Sequence, residues 1–229
     1  MAANGHPTVA AILVAAGEGQ RLGASVPKAF CVVAGRTLLD YAYLRFREHD
    51  AVRDLIVVAP ASHVDAARTI APTAVVVEGG QTRRESVWRG LAKLGADVDL
   101  VLVHDVARPF VPAGVISRVV DALAAGADAV IPVLPVSDTI KRVRGSAVIA
   151  TVDRSTLRAV QTPQGFRRSV LAAAHASSAS TANGADGAPD DAALVEALGV
   201  AVSVVAGADE SFKITRPWDL LVAEMVVRH

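Results

Sequence analysis

The sequence predicts an α/β fold, a three-layer Rossmann-like arrangement in which a mostly parallel sheet lies between two layers of helices. Short apolar runs alternate with segments of helical period, and such alternation implies crossover connections between parallel strands. The 229 residues are 52% hydrophobic but only 4% aromatic, a balance typical of buried parallel strands covered by small-residue helices. The length suits a single domain, which we expect to cover residues 1–229.

Each element follows from a local pattern. Strands are predicted where short apolar runs lie between turn residues, at Val9–Val14, Leu55–Ala59, Ala74–Val77, Leu100–Val103 and Ala129–Val133. Helices are predicted where apolar residues recur with helical spacing, at Thr37–Glu48, Ser62–Ile70, Arg83–Leu94, Pro112–Ala125, Arg168–Ala176, Asp190–Leu198 and Pro217–Val227. Thr37, Ser62 and Pro112 stand where helix caps or first-turn residues belong.

Two segments interrupt the alternation of strands and helices. The runs Thr139–Val143 and Val148–Val152 flank a glycine turn with no helical pattern between them, which predicts a protruding β-hairpin arm within about residues 137–160. The tract Ser177–Pro189 is small, polar and poor in apolar residues. Such a composition favours a mobile loop or lid over packed structure.

Charge and cysteine content exclude several classes of partner. The 23 basic residues are balanced by 23 acidic ones, so the chain lacks the basic excess of nucleic-acid binders. Cys31 is the single cysteine, which excludes an intramolecular disulfide and fits a reducing compartment. The apolar run Val9–Ala16 is too short for a membrane span or a signal core with its cleavage site. We therefore expect a cytoplasmic protein without nucleic-acid or membrane partners.

A glycine-rich loop follows the first predicted strand. Its spacing, Gly17, Gly19 and Gly23, fits neither the dinucleotide fingerprint nor the Walker loop. Small residues at this position leave backbone N–H groups accessible to phosphate oxygens. Arg21 and Lys28 follow on the same loop, and Pro27 restricts the backbone just before the lysine. An ordinary loop with two solvated cations is the alternative interpretation.

Several motifs together resemble one family. The loop from Ala15 to Lys28 is similar to the signature loop of the sugar-nucleotide pyrophosphorylase group of nucleotidyltransferases. Further motifs narrow the resemblance to the 2-C-methyl-D-erythritol 4-phosphate cytidylyltransferase family of the non-mevalonate isoprenoid pathway: GGQTRRESV at 79–87, VHDVARP at 103–109, SDTIKRV, VDR and QTPQGF between 137 and 166, and FKITRPWDL at 212–220. The resemblance runs from about Val9 to Val227 and implies the nucleotide-diphospho-sugar transferase type of fold.

The family transfers CMP from CTP to a polyol phosphate and releases pyrophosphate, and the resemblance implies that function here. It assigns catalysis to Arg21, Lys28 and Lys213. It assigns nucleotide binding to Ala15, Ala16, Gly17, Gly19, Gly80, Gln81, Arg83, Ser86 and Asp105, and substrate binding to Arg108, Thr139, Arg154 and Thr162. The resemblance also implies a homodimer, in which the hairpin arm crosses to the twin subunit and offers it Arg154. An edge hairpin packed on its own chain is the alternative.

Asp105 stands at the carboxyl end of an apolar strand, where parallel sheets hold their ligands. A carboxylate there can hold Mg²⁺, bind a ribose hydroxyl or cap a turn, and the residues alone leave these open. The resemblance favours a Mg²⁺-dependent enzyme with Asp105 as the metal ligand. His104 has no second His or Cys at ligand spacing, so we expect a hydrogen-bonded interior residue.

Three positions depart from the family pattern and leave a second acceptor open. Val106 replaces the first alanine of HDAAR, Pro189 replaces a threonine before the acidic pair Asp190-Asp191, and Ser211 replaces the asparagine of D-N-I-K. A ribitol-5-phosphate cytidylyltransferase is therefore the close alternative. A hexose-1-phosphate uridylyl- or guanylyltransferase and a catalytically silent nucleotide-binding module are more distant ones.

Overall fold

The computed structural model of the protein describes residues 7–17, 26–179 and 188–228. The strands in this part of the chain are β1 Val9–Val14, β2 Val32–Val33, β3 Arg36–Thr37, β4 Val52–Ala59, β5 Val75–Glu78, β6 Leu100–Asp105, β7 Ala129–Pro135, β8 Ile140–Arg144, β9 Ala147–Val152, β10 Arg158–Val160, β11 Gln164–Arg167 and β12 Val202–Ala206. The helices are α1 Leu38–Arg47, α2 Val64–Ile70, α3 Arg83–Leu91, α4 Ala113–Ala124, α5 Arg168–Ala179, α6 Asp191–Glu196 and α7 Pro217–Arg228.

One mixed, mostly parallel sheet organises the fold. Its strand order is β10-β7-β11-β6-β1-β4-β5, and β12 also pairs with β7. Strands β6, β1, β4 and β5 run parallel, whereas β11 runs antiparallel to both of its neighbours and β10 runs antiparallel to β7. The parallel half therefore brings the carboxyl ends of β1, β4, β5 and β6 to one edge of the sheet.

Helices cover both faces of the sheet, which confirms the predicted three-layer architecture. Ala11 and Leu13 of β1 pack on one face with residues of α1, α4 and α7, while Ala10 and Ile12 pack on the other with residues of α3, α5 and α6. Because successive strand residues point to opposite faces, a strand buried on both sides must be apolar throughout. This is the reason β1 reads VAAILV without alternation.

The five predicted strands and seven predicted helices are present, with differences at their ends. Strand β4 begins at Val52 rather than Leu55, and α3 ends at Leu91 rather than Leu94. Thr37 caps α1, since its hydroxyl accepts a hydrogen bond from the Asp40 amide. Ser62 is not a cap as predicted: it lies in a short 3-10 helix before α2 and its hydroxyl bonds to His63.

The chain between residues 158 and 206 differs most from the sequence prediction. The short strands β10, β11 and β12 were not predicted, because each is too brief or too mixed to show a period of its own. Helix α5 continues to Ala179, so the loop predicted from Ser177 begins later than expected. Residues 180–187 of that predicted loop lie outside the described residues.

The predicted hairpin is present as β8 and β9, joined at Gly145 and Ser146. Gly145 has a φ of 57°, in the left-handed region that a tight hairpin turn requires. The two strands form a sheet of their own, and Val143, Val148 and Ile149 are exposed on it. In the part of the chain that is described, no helix is long and apolar enough to cross a membrane.

Candidate active site

A cleft of about 640 Å³ opens at the carboxyl edge of the parallel strands. Its described lining comes from the end of β1 and the residues after it, the short 3-10 helix at Lys28–Phe30, the β5–α3 loop, the end of β6 and the segment before α7: Val14, Ala15, Ala16, Gly17, Lys28, Ala29, Gly80, Gln81, Thr82, Arg83, Ser86, Asp105, Val106, Ala107 and Lys213. Loops that follow parallel strands meet at this edge, which is where such sheets bind ligands. The cleft is therefore the candidate active site.

Two glycines allow close approaches of the β5–α3 loop, Gly79 to the residues after β1 and Gly80 to the first turn of α3. A Cβ atom on Gly79 would overlap the Cβ atom of Ala16, and one on Gly80 would overlap the side chain of Glu85. A larger residue at Gly79 would force the loop away from Ala16, and one at Gly80 would displace the Glu85 side chain. The pair is thus required by close packing, and it lets backbone groups at Gly80 and Gln81 line the cleft.

The first turn of α3 fixes the conformation of this loop. Ser86 is buried, and its hydroxyl accepts from the Gly80 amide at 3.1 Å and donates to the Thr82 carbonyl at 3.0 Å. The Glu85 carboxylate accepts from the Gln81 amide and from Arg89, and both bonds lower the pKa of Glu85. The Ser86 hydroxyl is therefore engaged with the loop backbone, and it holds the loop in shape.

Asp105 lies at the tip of β6 between two cations. Its Oδ2 atom is 2.6 Å from the ammonium nitrogen of Lys213, and its Oδ1 atom is 3.1 Å from Nε of Arg83. Burial raises the pKa of Asp105, but the charges of Arg83 and Lys213 outweigh it and hold the pKa well below its usual range. The carboxylate is consequently ionised at neutral pH and orients both cations at the cleft wall.

Arg83 connects this pair to a second, deeper carboxylate. Its Nη1 atom is 2.6 Å from Oδ2 of Asp191, the first residue of α6. The other oxygen of Asp191 is 3.0 Å from Nε2 of His175 on α5. Both of these side chains are buried. A continuous chain of charged and polar groups thus runs from Lys213 at the cleft to His175 in the interior.

A second buried network stands behind Asp105. The Asp105 amide donates to the Thr162 hydroxyl at 3.1 Å, and the same hydroxyl lies 3.0 Å from Nδ1 of His104. The other ring nitrogen of His104, Nε2, is 3.1 Å from the Arg108 carbonyl. Burial lowers the pKa of His104 to about 4, so the ring is neutral at pH 7. Because the Arg108 carbonyl only accepts, Nε2 carries the proton and Nδ1 accepts from Thr162. His104 is therefore the hydrogen-bonded interior residue that the sequence predicts.

Lys28 is the first residue of the 3-10 helix Lys28–Phe30, directly after Pro27. Ala29 and Phe30 are buried, and the Phe30 ring packs against His63 with 4.6 Å between the ring centroids. The lysine backbone is therefore anchored to the core while its side chain lines the cleft. An anchored cation loses less entropy when it binds an anion than one on a free loop.

Most of the predicted site residues line this cleft, but some of them do not. Ten predicted residues line the cleft: Ala15, Ala16, Gly17, Lys28, Gly80, Gln81, Arg83, Ser86, Asp105 and Lys213. Arg21 and Gly19 lie outside the described residues. Among the described residues, the predicted acceptor-binding side chains Arg108, Thr139, Arg154 and Thr162 lie outside the lining of this cleft.

The predicted acceptor-binding residues have other contacts. Arg108 donates to the Ser211 carbonyl at 2.7 Å and to the Val160 carbonyl at 3.1 Å, so it ties the segment that carries Lys213 to strand β10. Arg154 donates to the Ser137 carbonyl at the base of the arm, and Thr139 is exposed there. Substrate contacts by these residues remain predictions.

This chain is similar in sequence to known proteins over nearly its whole length. The family model described as 2-C-methyl-D-erythritol 4-phosphate cytidylyltransferase matches residues 9–229. The chain belongs to the 2-C-methyl-D-erythritol 4-phosphate cytidylyltransferase family. Relatives that carry this name include one from Rhodococcus jostii, 47% identical with 98% of this chain and 97% of the relative covered. Another, from Frankia casuarinae, is 46% identical with 96% and 82% covered.

Solved structures of the family show the same fold. The 2-C-methyl-D-erythritol 4-phosphate cytidylyltransferase of Thermus thermophilus superposes with a TM-score of 0.81 at 41% identity, covering 95% of this chain and 98% of that one. The 4-diphosphocytidyl-2C-methyl-D-erythritol synthase of Anaerococcus prevotii superposes with a TM-score of 0.86 at 26% identity, covering 98% and 97%. The Rossmann-like nucleotidyltransferase fold predicted from the sequence is confirmed.

Sequence reasoning missed three residues that support the cleft from outside its lining. Asp191 was noted only as part of an acidic pair, and Glu85 and His175 were not singled out. The residue spacing carries no signal for these contacts, because Arg83 and Asp191 are 108 positions apart and meet only when α3 and α6 pack on the same face. The helical pattern did predict that a helix begins at Arg83.

Proposed function

We propose that the protein transfers CMP from CTP to 2-C-methyl-D-erythritol 4-phosphate and releases pyrophosphate. The observation that carries the proposal is the family match, which includes every described residue of the cleft. In this reaction an oxygen of the acceptor phosphate attacks the α-phosphorus of CTP. The bond from that phosphorus to the bridging oxygen breaks, and pyrophosphate leaves with the electron pair. The acceptor phosphate is already an anion at neutral pH, so no general base is needed.

The cleft supplies what such a transfer requires, which is positioning and positive charge. Lys28 and Lys213 line the cleft from separate parts of the chain, one after β1 and the other before α7. Preorganised cations at a phosphorus that gains negative charge account for most of the rate in reactions of this class. Arg21, which belongs to the same predicted triphosphate site, is proposed to act with them. Backbone groups at Gly80 and Gln81 are proposed to contact the cytosine.

We further propose that the reaction uses Mg²⁺. Asp105 is the one acidic side chain in the described lining of the cleft, and the described residues contain no cluster of three or more potential metal ligands. Mg²⁺ is commonly held by one or two carboxylates together with substrate phosphates. The residues therefore fit an ion bound by Asp105 and the triphosphate, where it would neutralise phosphate charge. Each Asp105 oxygen keeps a second lone pair for this purpose beside its bond to Arg83 or Lys213.

Pyrophosphate release tests this function directly. The protein is incubated with CTP, UTP, GTP or ATP and with either methylerythritol phosphate or ribitol 5-phosphate, in Mg²⁺ and in excess EDTA. We expect release with CTP and methylerythritol phosphate in Mg²⁺, and at least about tenfold less in the other combinations. Release with CTP and ribitol 5-phosphate, but not with CTP and methylerythritol phosphate, would identify ribitol 5-phosphate as the acceptor. CTP binding without release under every condition would indicate a silent nucleotide-binding module.

The hairpin arm supports a proposed homodimer. Residues Val143, Val148 and Ile149 expose apolar surface on a two-stranded sheet that is separate from the main sheet. Exposed apolar strands of this kind are typical of surfaces that a partner covers. A second copy that accepts the arm would place Arg154 near the cleft of its neighbour. A cytoplasmic location, in keeping with the buried, reduced Cys31, also remains a prediction.

Mixed subunits test whether the arm completes the neighbouring site. Lys28→Ala and Arg154→Ala proteins are expected to be inactive or weak alone, and we expect activity well above the sum of the two after their subunits are exchanged. The reason is that one of the two sites in each mixed dimer then has both residues. The variants must be folded and dimeric by circular dichroism and sedimentation. If mixed dimers form without any gain in activity, the sites are not shared.

A further inference from the structure

Arg83 forms ion pairs with carboxylates on two sides. Nε donates to Asp105 at the cleft wall, and Nη1 donates to Asp191 at 2.6 Å in the interior. The side chain of Arg83 is 29% exposed, whereas that of Asp191 is 1% exposed. Two ion pairs pointing in different directions fix the plane of a guanidinium, which a single pair leaves free to turn.

Asp191 is itself held firmly. Burial raises the pKa of its carboxyl, but the hydrogen bond from His175 and the charge of Arg83 outweigh this and lower the pKa. Its backbone is fixed as well, because the Gln164 side-chain oxygen accepts from the amide of the next residue, Ala192, at 3.2 Å. Strand β11 thereby sets the start of α6, and the start of α6 sets Asp191.

We propose that Asp191 is a positioning residue for nucleotidyl transfer, acting through Arg83 on the Asp105–Lys213 pair. This inference rests on the proposed function. With Asp191 present, Arg83 divides its charge between two carboxylates, and Asp105 keeps its 2.6 Å contact with Lys213. Without Asp191, the guanidinium turns fully onto Asp105, where it competes with the ammonium group. Lys213 then loses its fixed place at the cleft wall.

The alternative is that Asp191 only fastens α6 to α3. That role also runs through the Arg83 pair, so it would lower the melting temperature of Asp191→Asn but would leave its kcat/KM unchanged. Asp190 provides a matched control, since it stands one position earlier and its carboxylate is part of the same helix start. Among the described residues its bonds go to Gln164 and to the Ala193 amide. Asp190→Asn therefore removes the same charge, keeps a side-chain oxygen for the helix cap and leaves the Arg83 pair untouched.

A double-mutant cycle distinguishes the two roles. We measure kcat and KM for Asp191→Asn, Arg83→Gln, the double variant and Asp190→Asn. We expect Asp191→Asn to lower kcat/KM about 10- to 100-fold, mostly through kcat, and Arg83→Gln to lower it at least as much. The double variant should stay within about twofold of Arg83→Gln. Asp190→Asn should stay within about twofold of wild type in kcat/KM, because Asn caps a helix about as well as Asp and the Arg83 pair is kept.

The proposal is overturned if the fall in kcat/KM of the double variant equals the product of the falls in the two single variants. It is also overturned if Asp190→Asn lowers kcat/KM as much as Asp191→Asn does. If Asp191→Asn does not fold, Asp191→Glu replaces it in the assay. That variant keeps the charge but moves the carboxylate by one methylene, and we expect kcat/KM to fall about tenfold. An unchanged kcat/KM for Asp191→Glu would then count against positioning.

One readout is independent of catalysis. In isotope-labelled protein, the Nε–H signal of Arg83 is identified by its loss in Arg83→Gln. We expect that signal to shift or broaden in Asp191→Asn and to be unchanged in Asp190→Asn. If the wild-type protein releases no pyrophosphate, the proposed function fails while this signal still decides whether Asp191 holds Arg83. An unperturbed signal in Asp191→Asn would overturn the positioning role even in an active enzyme.

Discussion

Replacing Lys28 by alanine is expected to lower kcat for cytidylyl transfer by about 10²–10³-fold and to leave the fold intact. Loss of one preorganised charge or donor that stabilises a transition state has costs of this size. The core contacts near Lys28 belong to its buried neighbours Ala29 and Phe30, which the variant keeps. We therefore expect the free energy of unfolding to change by no more than about 0.5 kcal/mol. Steady-state kinetics and thermal unfolding on the same preparation measure both quantities.

Lys93→Ala is the matched control for this variant. Lys93 is exposed beyond the end of α3 and does not line the cleft, so the same chemical change there should leave kcat within about twofold of wild type. A collapse of thermal stability in Lys28→Ala, equal in free energy to its loss of activity, would mean that the lysine serves the fold. An unchanged kcat would remove Lys28 from the reaction altogether.

The parallel half of the sheet was predictable because its strands are buried on both faces. Strand β1 was predicted with both of its ends correct, since a short apolar run followed by a glycine-rich loop is typical of a buried strand. Strands β10 and β11 gave no such signal. Their residues are placed by pairing with β6 and β7, which are distant in sequence. Tertiary pairing of this kind determines a short strand more than its own composition does.

The candidate site was predictable where a motif keeps its residues together in sequence. Gly80, Gln81, Arg83 and Ser86 belong to one loop and helix start, and all of them line the cleft. Thr162 shows the limit of this reasoning. Its hydroxyl bridges the Asp105 amide and His104 in the interior, which no spacing indicated. Burial and hydrogen-bond partners depend on packing between distant segments, and a motif does not encode them.

Replacing Lys213 by methionine is expected to lower kcat/KM for CTP by on the order of 10²-fold, because the cleft loses a cation but keeps a side chain of similar length. The fold is expected to survive, since Asp105 keeps its ion pair with Arg83 at 3.1 Å. The pKa of Asp105 should rise, because one of the two charges that hold it low is gone.

A rise in that pKa has a defined effect on stability. In the wild type the pKa of Asp105 is lower in the folded than in the unfolded chain, where it is about 4. The ion pairs of Asp105 therefore stabilise the fold at pH values above the unfolded-state pKa. This stabilisation is lost as the pH falls through the folded-state pKa. Lys213→Met should therefore melt lower than wild type at pH 7, by about 2–4 °C if the half-exposed pair contributes about 1 kcal/mol. The difference should narrow in acid, below pH ~4.

Lys93→Met provides the control for this second variant, since it makes the same substitution at an exposed position outside the cleft lining. We expect it to match wild type in kcat/KM and in the pH dependence of melting. Full activity in Lys213→Met would show that the ammonium group serves only to neutralise Asp105. A melting difference that stays constant from pH 7 to acid would show that the lost stability does not come from the ion pair with Asp105. Loss of activity together with a difference that vanishes in acid is the result that places Lys213 in both roles.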